Sequence, residues 1–303
     1  MYNQLFSGFL MVLLFKPQKL SSKWKKTKFR YMYILRCLIY PVISIKHYNE
    51  LKSLKIYDDM ISRQPLLPAK IHRPYLHKGG KIKQRSQYIL QHYRFVQELP
   101  AEKKDVLFPL DEYILAAFSG KNNEEIKICC SSCSFDREGE LMLTLLFNNI
   151  PVCRISFTIV RFGMNNVFFI GGLQGPPKNI EHQVIRISTK SCYGLYPKRI
   201  IFEALTVLAS LCDIEQIYAV SENSHVFKQL RYRRQKKNSF VALYSDFWCS
   251  IGGVKYKDLY KLPVDIKRKS LCDIASKRCA EYKRRYDLLD KIRMDIINVV
   301  SGM

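Results

Sequence analysis

The chain has 303 residues, 50 of them Lys or Arg and 26 Asp or Glu, for a formal charge of +24, and 48% are hydrophobic. That apolar content excludes disorder over most of the length, and a chain this long buries enough surface to fold without external staples. Ten cysteines at irregular spacing are too sparse for a stapled secreted scaffold, and without an evident export signal they point to a reducing compartment.

The charge sits at the ends. Residues 1 to 100 carry 19 basic and 4 acidic groups, residues 101 to 225 carry 12 and 14, and residues 226 to 303 carry 19 and 8. A near-neutral middle between basic flanks suggests a folded core whose ends meet something anionic, with simple solubility as the competing explanation.

Leu5 to Phe15 is an apolar run of 11 residues with no Lys or Arg ahead of it. It is too short to span a bilayer, which takes about 20 apolar residues. Lys16, Lys19, Lys23, Lys25 and Lys26 follow where a secretory signal would place small residues at a cleavage site. An uncleaved N-terminus is therefore expected, with the run as a buried first helix or an interfacial segment, in a protein that is cytoplasmic or weakly membrane-attached. Phe29, Met32, Tyr33, Leu35, Cys37 and Leu38 then recur at helical spacing and predict an amphipathic helix. From Ser62 to Arg85, Pro, Gly and Lys punctuate the chain, which reads as an extended connector. A helix over Ser86 to Glu98 follows, with Tyr88, Ile89, His92, Tyr93 and Val96 on its apolar side. That spacing makes His92 a packing or surface residue before a catalytic one.

The middle third predicts strands. Glu140 to Phe147 and Val152 to Val160 form a β-hairpin pattern separated by the short loop Asn148-Asn149-Ile150-Pro151, and Val167 to Ile170 continues a meander. Gly171-Gly172-Leu173-Gln174-Gly175 ends that third strand as a turn, or as backbone bared to a ligand, which makes Gly172 and Gln174 candidate binding residues. His182 to Ser188 reads as another strand. Pro197 opens a helix whose Ile200, Ile201, Ala204, Leu205, Leu208 and Ala209 define a buried face. Lys198 and Arg199 stand in its first turn, against the dipole preference. An anion held by Gly194, Lys198 and Arg199 would relieve that conflict, as would side chains turned to solvent. Ile214 to Ser221 is the next strand.

Cys130 and Cys133 have C-x-x-C spacing, but no second pair stands at zinc-ligand distance and no metal is expected. No Walker loop, G-x-S-x-G or H-E-x-x-H occurs. Among six histidines, His225, just past a strand end, is the one placed for acid–base work, with a packing or loop role competing. From Ser270 to Val300 a long helix is expected with Ala275, Cys279, Tyr282, Tyr286, Leu289 and Ile296 along one seam, and Lys277, Arg278, Lys283, Arg284 and Arg285 on its other faces.

The order of antiparallel strands, strand, Gly loop, helix and strand is similar to the centre of the GNAT N-acetyltransferase fold. That likeness implies acyl-CoA as a cofactor held by loop amides. The family's loop has Gln or Arg, then Gly, then Gly or Ala, whereas Ser191, Gly194 and Tyr196 stand here.

Ser245-Asp246-Phe247-Trp248 with Gly252-Gly253, Tyr260-Lys261-Leu262-Pro263 and Arg284-Arg285-Tyr286-Asp287-Leu288-Leu289 form one set of motifs. With Arg137-Glu138-Gly139-Glu140-Leu141, Ile170-Gly171-Gly172-Leu173-Gln174-Gly175, Pro197-Lys198-Arg199 and Val220-Ser221 with His225, the chain resembles the VirK/YbjX family of Gram-negative bacteria, once a domain of unknown function. The resemblance implies an accessory role at the cell envelope, in support of exported virulence proteins and of resistance to cationic antimicrobial peptides. It carries no catalytic residues across, and it brings a periplasmic location as the alternative.

The expected architecture is α+β, a mixed and largely antiparallel sheet with a GNAT-like central order. Residues 1–99 are a basic, mostly helical region, 100–265 the core domain, and 266–303 a basic amphipathic helix. A non-catalytic accessory role without cofactor leads, and an acyl-CoA-dependent acyltransferase is the rival. The expected partners are an anionic membrane surface or envelope component and an exported client protein; nucleic acid is disfavoured because no recognised binding motif accompanies the charge.

Overall fold

The computed structural model describes residues 2–15, 22–177, 179–228 and 244–302. Lys16 and Lys19 of the early basic run lie outside the described residues. The N-terminal part is helical: α1 (Tyr2–Phe15), α2 (Ser22–Lys25), α3 (Thr27–Ile39), α4 (Pro41–Lys52), α5 (Tyr57–Arg63), α6 (Leu67–Lys70), α7 (Ile82–Gln97) and α8 (Ala101–Leu107). Strands β1 (Tyr113–Ser119), β2 (Glu125–Ser132), β3 (Leu141–Phe147), β4 (Ile150–Phe162) and β5 (Asn165–Gln174) follow, then α9 (His182–Ser191), α10 (Pro197–Leu211) and β6 (Ile217–Val220). The last elements are α11 (Ser245–Ser250), β7 (Val254–Tyr256), β8 (Leu259–Leu262) and α12 (Ser276–Ser301).

The eight strands form one sheet in the order β1-β2-β3-β4-β5-β6-β8-β7. Neighbours are antiparallel except β5 and β6, which run parallel through the α10 crossover. The fold is thus α+β with a mixed, mostly antiparallel sheet. Asn148 and Asn149 both adopt positive φ (47° and 61°), the conformation that a two-residue hairpin turn needs and that Asn tolerates. The α7 helix packs on β4, α10 on β3 and β4, and α12 on α10 and β1. Because α10 is covered on more than one side, Phe202, Thr206 and Val207 are buried together with the predicted apolar face.

Several sequence expectations give way. His182 to Ser188 is helical, within α9: its β-branched Val184, Ile185 and Ile187 suggest a strand locally, and tertiary packing decides otherwise. Gly171 and Gly172 do not end β5, which continues to Gln174. Both glycines are needed because the Glu138 turn crosses the strand there; a Cβ on Gly171 would meet the Glu138 carbonyl oxygen at 2.0 Å, and one on Gly172 would meet Glu138 Oε2 at 2.1 Å. Finally, residues 62 to 85 are not an extended connector but include α6 and the start of α7. Leu67, Lys70, Ile71, Tyr75 and Leu76 are buried, and the segment is pinned at its far end by Leu76 N–H donating to the Arg137 carbonyl and Lys78 N–H to the Ser224 carbonyl, each at 2.7 Å.

The long C-terminal helix is present, but its buried seam is Leu288, Leu289, Ile292, Ile296 and Val300. Ala275 precedes the helix as its N-cap. Arg285 also departs from expectation: it turns inward, its Nε donating to the Tyr193 carbonyl at 2.5 Å, while Lys277, Arg278, Lys283 and Arg284 are exposed.

Candidate functional site

Pro197 starts α10 where its missing N–H is no loss. The turn before it places Tyr193 and Gly194 at positive φ (53° and 83°). Gly194 is doubly constrained, because a Cβ there would also sit 2.4 Å from Arg285 Nη2. The Gly194 N–H donates to the Thr189 carbonyl at 2.8 Å and the Leu195 N–H to the Cys192 carbonyl at 2.9 Å. These amides close the turn on itself, so charge at the head of α10 is presented by side chains.

Those side chains border a cleft of about 650 Å³ between α10, α11, residues 266–269 and the first half of α12. Lys198, Arg199, Lys267, Arg268, Lys269 and Arg285 line it, against the single carboxylate of Asp246. Val152, Ile185, Leu195, Ile251, Ile266 and Leu289 supply its apolar lining, and Tyr196, Phe247, Tyr282 and Tyr286 its aromatic walls. Three of the cations stand over those walls: Arg285 lies 4.6 Å from the Tyr282 ring centre, Arg268 5.3 Å from Tyr286 and Lys198 5.9 Å from Phe247. Stacking fixes long side chains and lowers the entropy lost when an anion binds.

Arg199 pairs with Glu203 one turn on, at 3.0 Å. Burial pushes the Arg199 guanidinium down and the Glu203 carboxyl up, each partly offset by the other. Arg199 Nη1 is buried with no hydrogen-bond acceptor among the described residues. An orphaned cationic donor on a cleft wall is costly unless a ligand or water supplies the acceptor. Arg268 is held in a bidentate pair with Asp290 at 2.9 and 2.6 Å. Cys153 offers no nucleophile, since burial pushes its thiol up to about 12.

Gly172, Gln174 and His225 meet elsewhere, around Glu138. Gln174 Nε2 donates to both Glu138 oxygens at 3.0 and 3.1 Å, and His225 Nε2 stands 3.4 Å from Glu138 Oε1. Glu138 and His225 are wholly buried. Ser221 and Ser224 hold the His225 turn, with Ser221 N–H donating to Ser224 Oγ at 2.8 Å. Gly175, next to Gln174, borders the cleft, so the two groups of residues adjoin through the end of β5.

Pairing between β5 and β6 runs from Phe168 with Ile217 to Ile170 with Ala219, although β5 continues to Gln174. Beyond Ala219, the carbonyl of Val220 accepts instead from Trp248 Nε1 at 3.0 Å. Trp248 is fully buried, so its indole fills space beside the end of β6. Tyr196 is 67% exposed on the cleft wall and does not block it. Sequence reasoning missed Glu138, although its motif was visible, and missed residues 267–269, whose signal is three consecutive cations. Cys130 and Cys133 are free thiols, as are all ten cysteines, and no metal-holding cluster occurs among the described residues.

Residues 22–298 match the family described as protein of unknown function DUF535. An uncharacterised Escherichia coli protein, YbjX, is 39% identical over 285 residues, covering 92% of this chain and 86% of that one. An uncharacterised Haemophilus influenzae protein is 30% identical over 149 residues, 49% of this chain and 48% of the relative. Among solved structures, a point mutant of a cAMP-binding acyltransferase from Mycobacterium smegmatis aligns over 67% of this chain and 63% of its own, at 10% identity and a TM-score of 0.30. A superposition that loose supports no inference about activity. The identity to YbjX across most of both chains and the family match over nearly the full length place this chain in the DUF535 family.

Proposed function

We propose that this protein binds a phosphate-bearing amphiphile in the cleft at the head of α10. The observation that carries the reading is a cleft lined by six cations and one carboxylate over an apolar floor; Arg199, Arg268 and Arg285 are each paired with a carboxylate just outside the lining, so Lys198, Lys267 and Lys269 carry the uncompensated charge. Phosphate oxygens suit guanidinium and ammonium donors beside a helix N-terminus, and an acyl chain suits the floor. A phospholipid or lipid A fragment and a long-chain acyl-CoA share this chemistry. We favour an envelope lipid, handled by an accessory protein that supports exported virulence proteins and resistance to cationic peptides, as the family resemblance implies. The buried Trp248, whose indole caps the Val220 carbonyl beyond the last β5–β6 pair, supports binding over acyl transfer, because it adds bulk at the strand end where a transferase would admit a thioester.

An acyl-CoA-dependent transferase is the second reading. It is favoured by the parallel β5 and β6 joined through α10, with Glu138 and His225 at the strand ends. Thermal shift of the full chain separates the readings. Lysophosphatidylglycerol should stabilise it and inorganic phosphate alone should not. Stabilisation by palmitoyl-CoA with release of free CoA thiol on turnover would instead support the transferase. No stabilisation by either amphiphile would remove both.

A further inference from the structure

The helix α3 has its apolar residues on two sides. Tyr33 and Cys37 face inward and are buried. From Tyr31 to Ile39 every exposed side chain is also apolar or aromatic: Tyr31, Met32, Leu35, Leu38 and Ile39. Tyr31, Leu35 and Leu38 stand at i, i+4 and i+7, so they form one outward stripe. Leu38 is 71% exposed, and the stripe continues round the corner into α4 with Val42 at 79%. Met11 and Leu14 of α1, which packs against α3, are exposed as well. The outward side of a surface helix is ordinarily polar, and a concentration of large apolar side chains there marks an interaction surface.

The surrounding charge selects the occupant. Residues 1–49 contain nine Lys or Arg and no Asp or Glu. Lys25, Lys26 and Lys28 are exposed at the N-terminal end of the stripe. A second copy docked on this face would bring like charges together, whereas anionic headgroups would complement them. No helix among the described residues is long and apolar enough to cross a membrane, so contact is by lying in the interface. A stripe with Tyr at its margin and lysines beside it suits that depth.

We propose that the outward face of α3, with the Tyr40 to Val42 corner, docks on the headgroup boundary of an anionic bilayer, its leucines among the upper acyl carbons and Lys25, Lys26 and Lys28 on the headgroups. The surface shares no residue with the α10 cleft and does not depend on what the cleft holds.

Co-sedimentation of the full chain with vesicles of phosphatidylglycerol and phosphatidylethanolamine, and with phosphatidylcholine vesicles, tests it. Binding should be confined to the anionic vesicles and should weaken with salt. L35E/L38E should lose binding by about tenfold or more with its thermal midpoint unchanged, since both positions are exposed. In a second variant, L35W, the indole emission should shift to the blue when anionic vesicles are added. Undiminished sedimentation of L35E/L38E, or emission of L35W unmoved by vesicles that still sediment the chain, would overturn the proposal. So would a lipid-free dimer that L35E/L38E splits, which would assign the face to a second copy. If K198Q/K267Q/K269Q abolished vesicle binding while L35E/L38E left it intact, attachment would belong to the cleft and the α3 proposal would fail alone.

Discussion

Lys70 Nζ lies 2.7 Å from Glu140 Oε1, with 1% of one side chain and none of the other reached by solvent. The same carboxylate accepts from the hydroxyls of Tyr75 and Tyr93, each at 2.7 Å. Burial and the Glu140 charge together push both phenols up, so they remain donors. Removing one partner leaves a buried charge uncompensated, which costs about 3–5 kcal/mol. K70M should therefore lower the urea midpoint severely, with loss of far-UV signal at milder denaturant. A midpoint close to the parent's would show that water or another cation reaches Glu140.

Gly172 and Glu138 should behave as a coupled pair. An added methyl at Gly172 collides with the Glu138 carboxylate, held in place by Gln174. G172A should destabilise the chain by about 2 kcal/mol or more. Once E138A has made room, the same change should cost less, for a coupling of about 1 kcal/mol or more in a double-mutant cycle. Additive effects would mean the contact is not what excludes a side chain at Gly172.

Three buried histidines set an acid limit. Burial holds His92 and His72 down to about 4 and His47 to about 3, whereas an unfolded imidazole takes up a proton near about 6.5. As pH falls below that value the unfolded chain binds more protons than the folded one. The stabilisation from this source is therefore complete above about 6.5 and is lost as pH falls toward about 4. Urea midpoints should drop steadily between neutral pH and pH near 5, and H92N should flatten the dependence. His92 Nδ1 accepts from the Ile159 N–H at 3.3 Å, a role an Asn oxygen can fill without titrating. A midpoint constant over that range would contradict the assignment.

Legibility in the sequence followed the range of the forces involved. The apolar face of α10 and the hairpin between β3 and β4 are visible because helical and strand periods are local properties, whereas the sequence puts Ile150 and Pro151 in the loop and the structure shortens it to the two residues Asn148 and Asn149. The wedge around Lys70 was not, since its reason for burial is a carboxylate 70 residues away. The strand continuing through Gly171 and Gly172 was hidden for the same reason: both glycines answer to Glu138 on a different turn. Lys198 and Arg199 were legible as an anion signal through the helix dipole. Their partners at 267–269 and Arg285 are brought to the cleft by the packing of α12 on α10. The sequence period of α3 marks one amphipathic face and does not tell which of two apolar sides the core takes, so the outward stripe is visible only in the fold.

Calorimetric titration of lysophosphatidylglycerol below its micelle concentration into the full chain and into K198Q/K267Q/K269Q tests the cleft most directly. Lys267 and Lys269 are exposed and Lys198 is half-buried, so the variant should keep its fold. Binding should saturate at one ligand per chain, weaken about tenfold or more in the variant and depend less on salt there. Equal affinity for parent and variant, or heat no different from that of a neutral lysolipid, would contradict it.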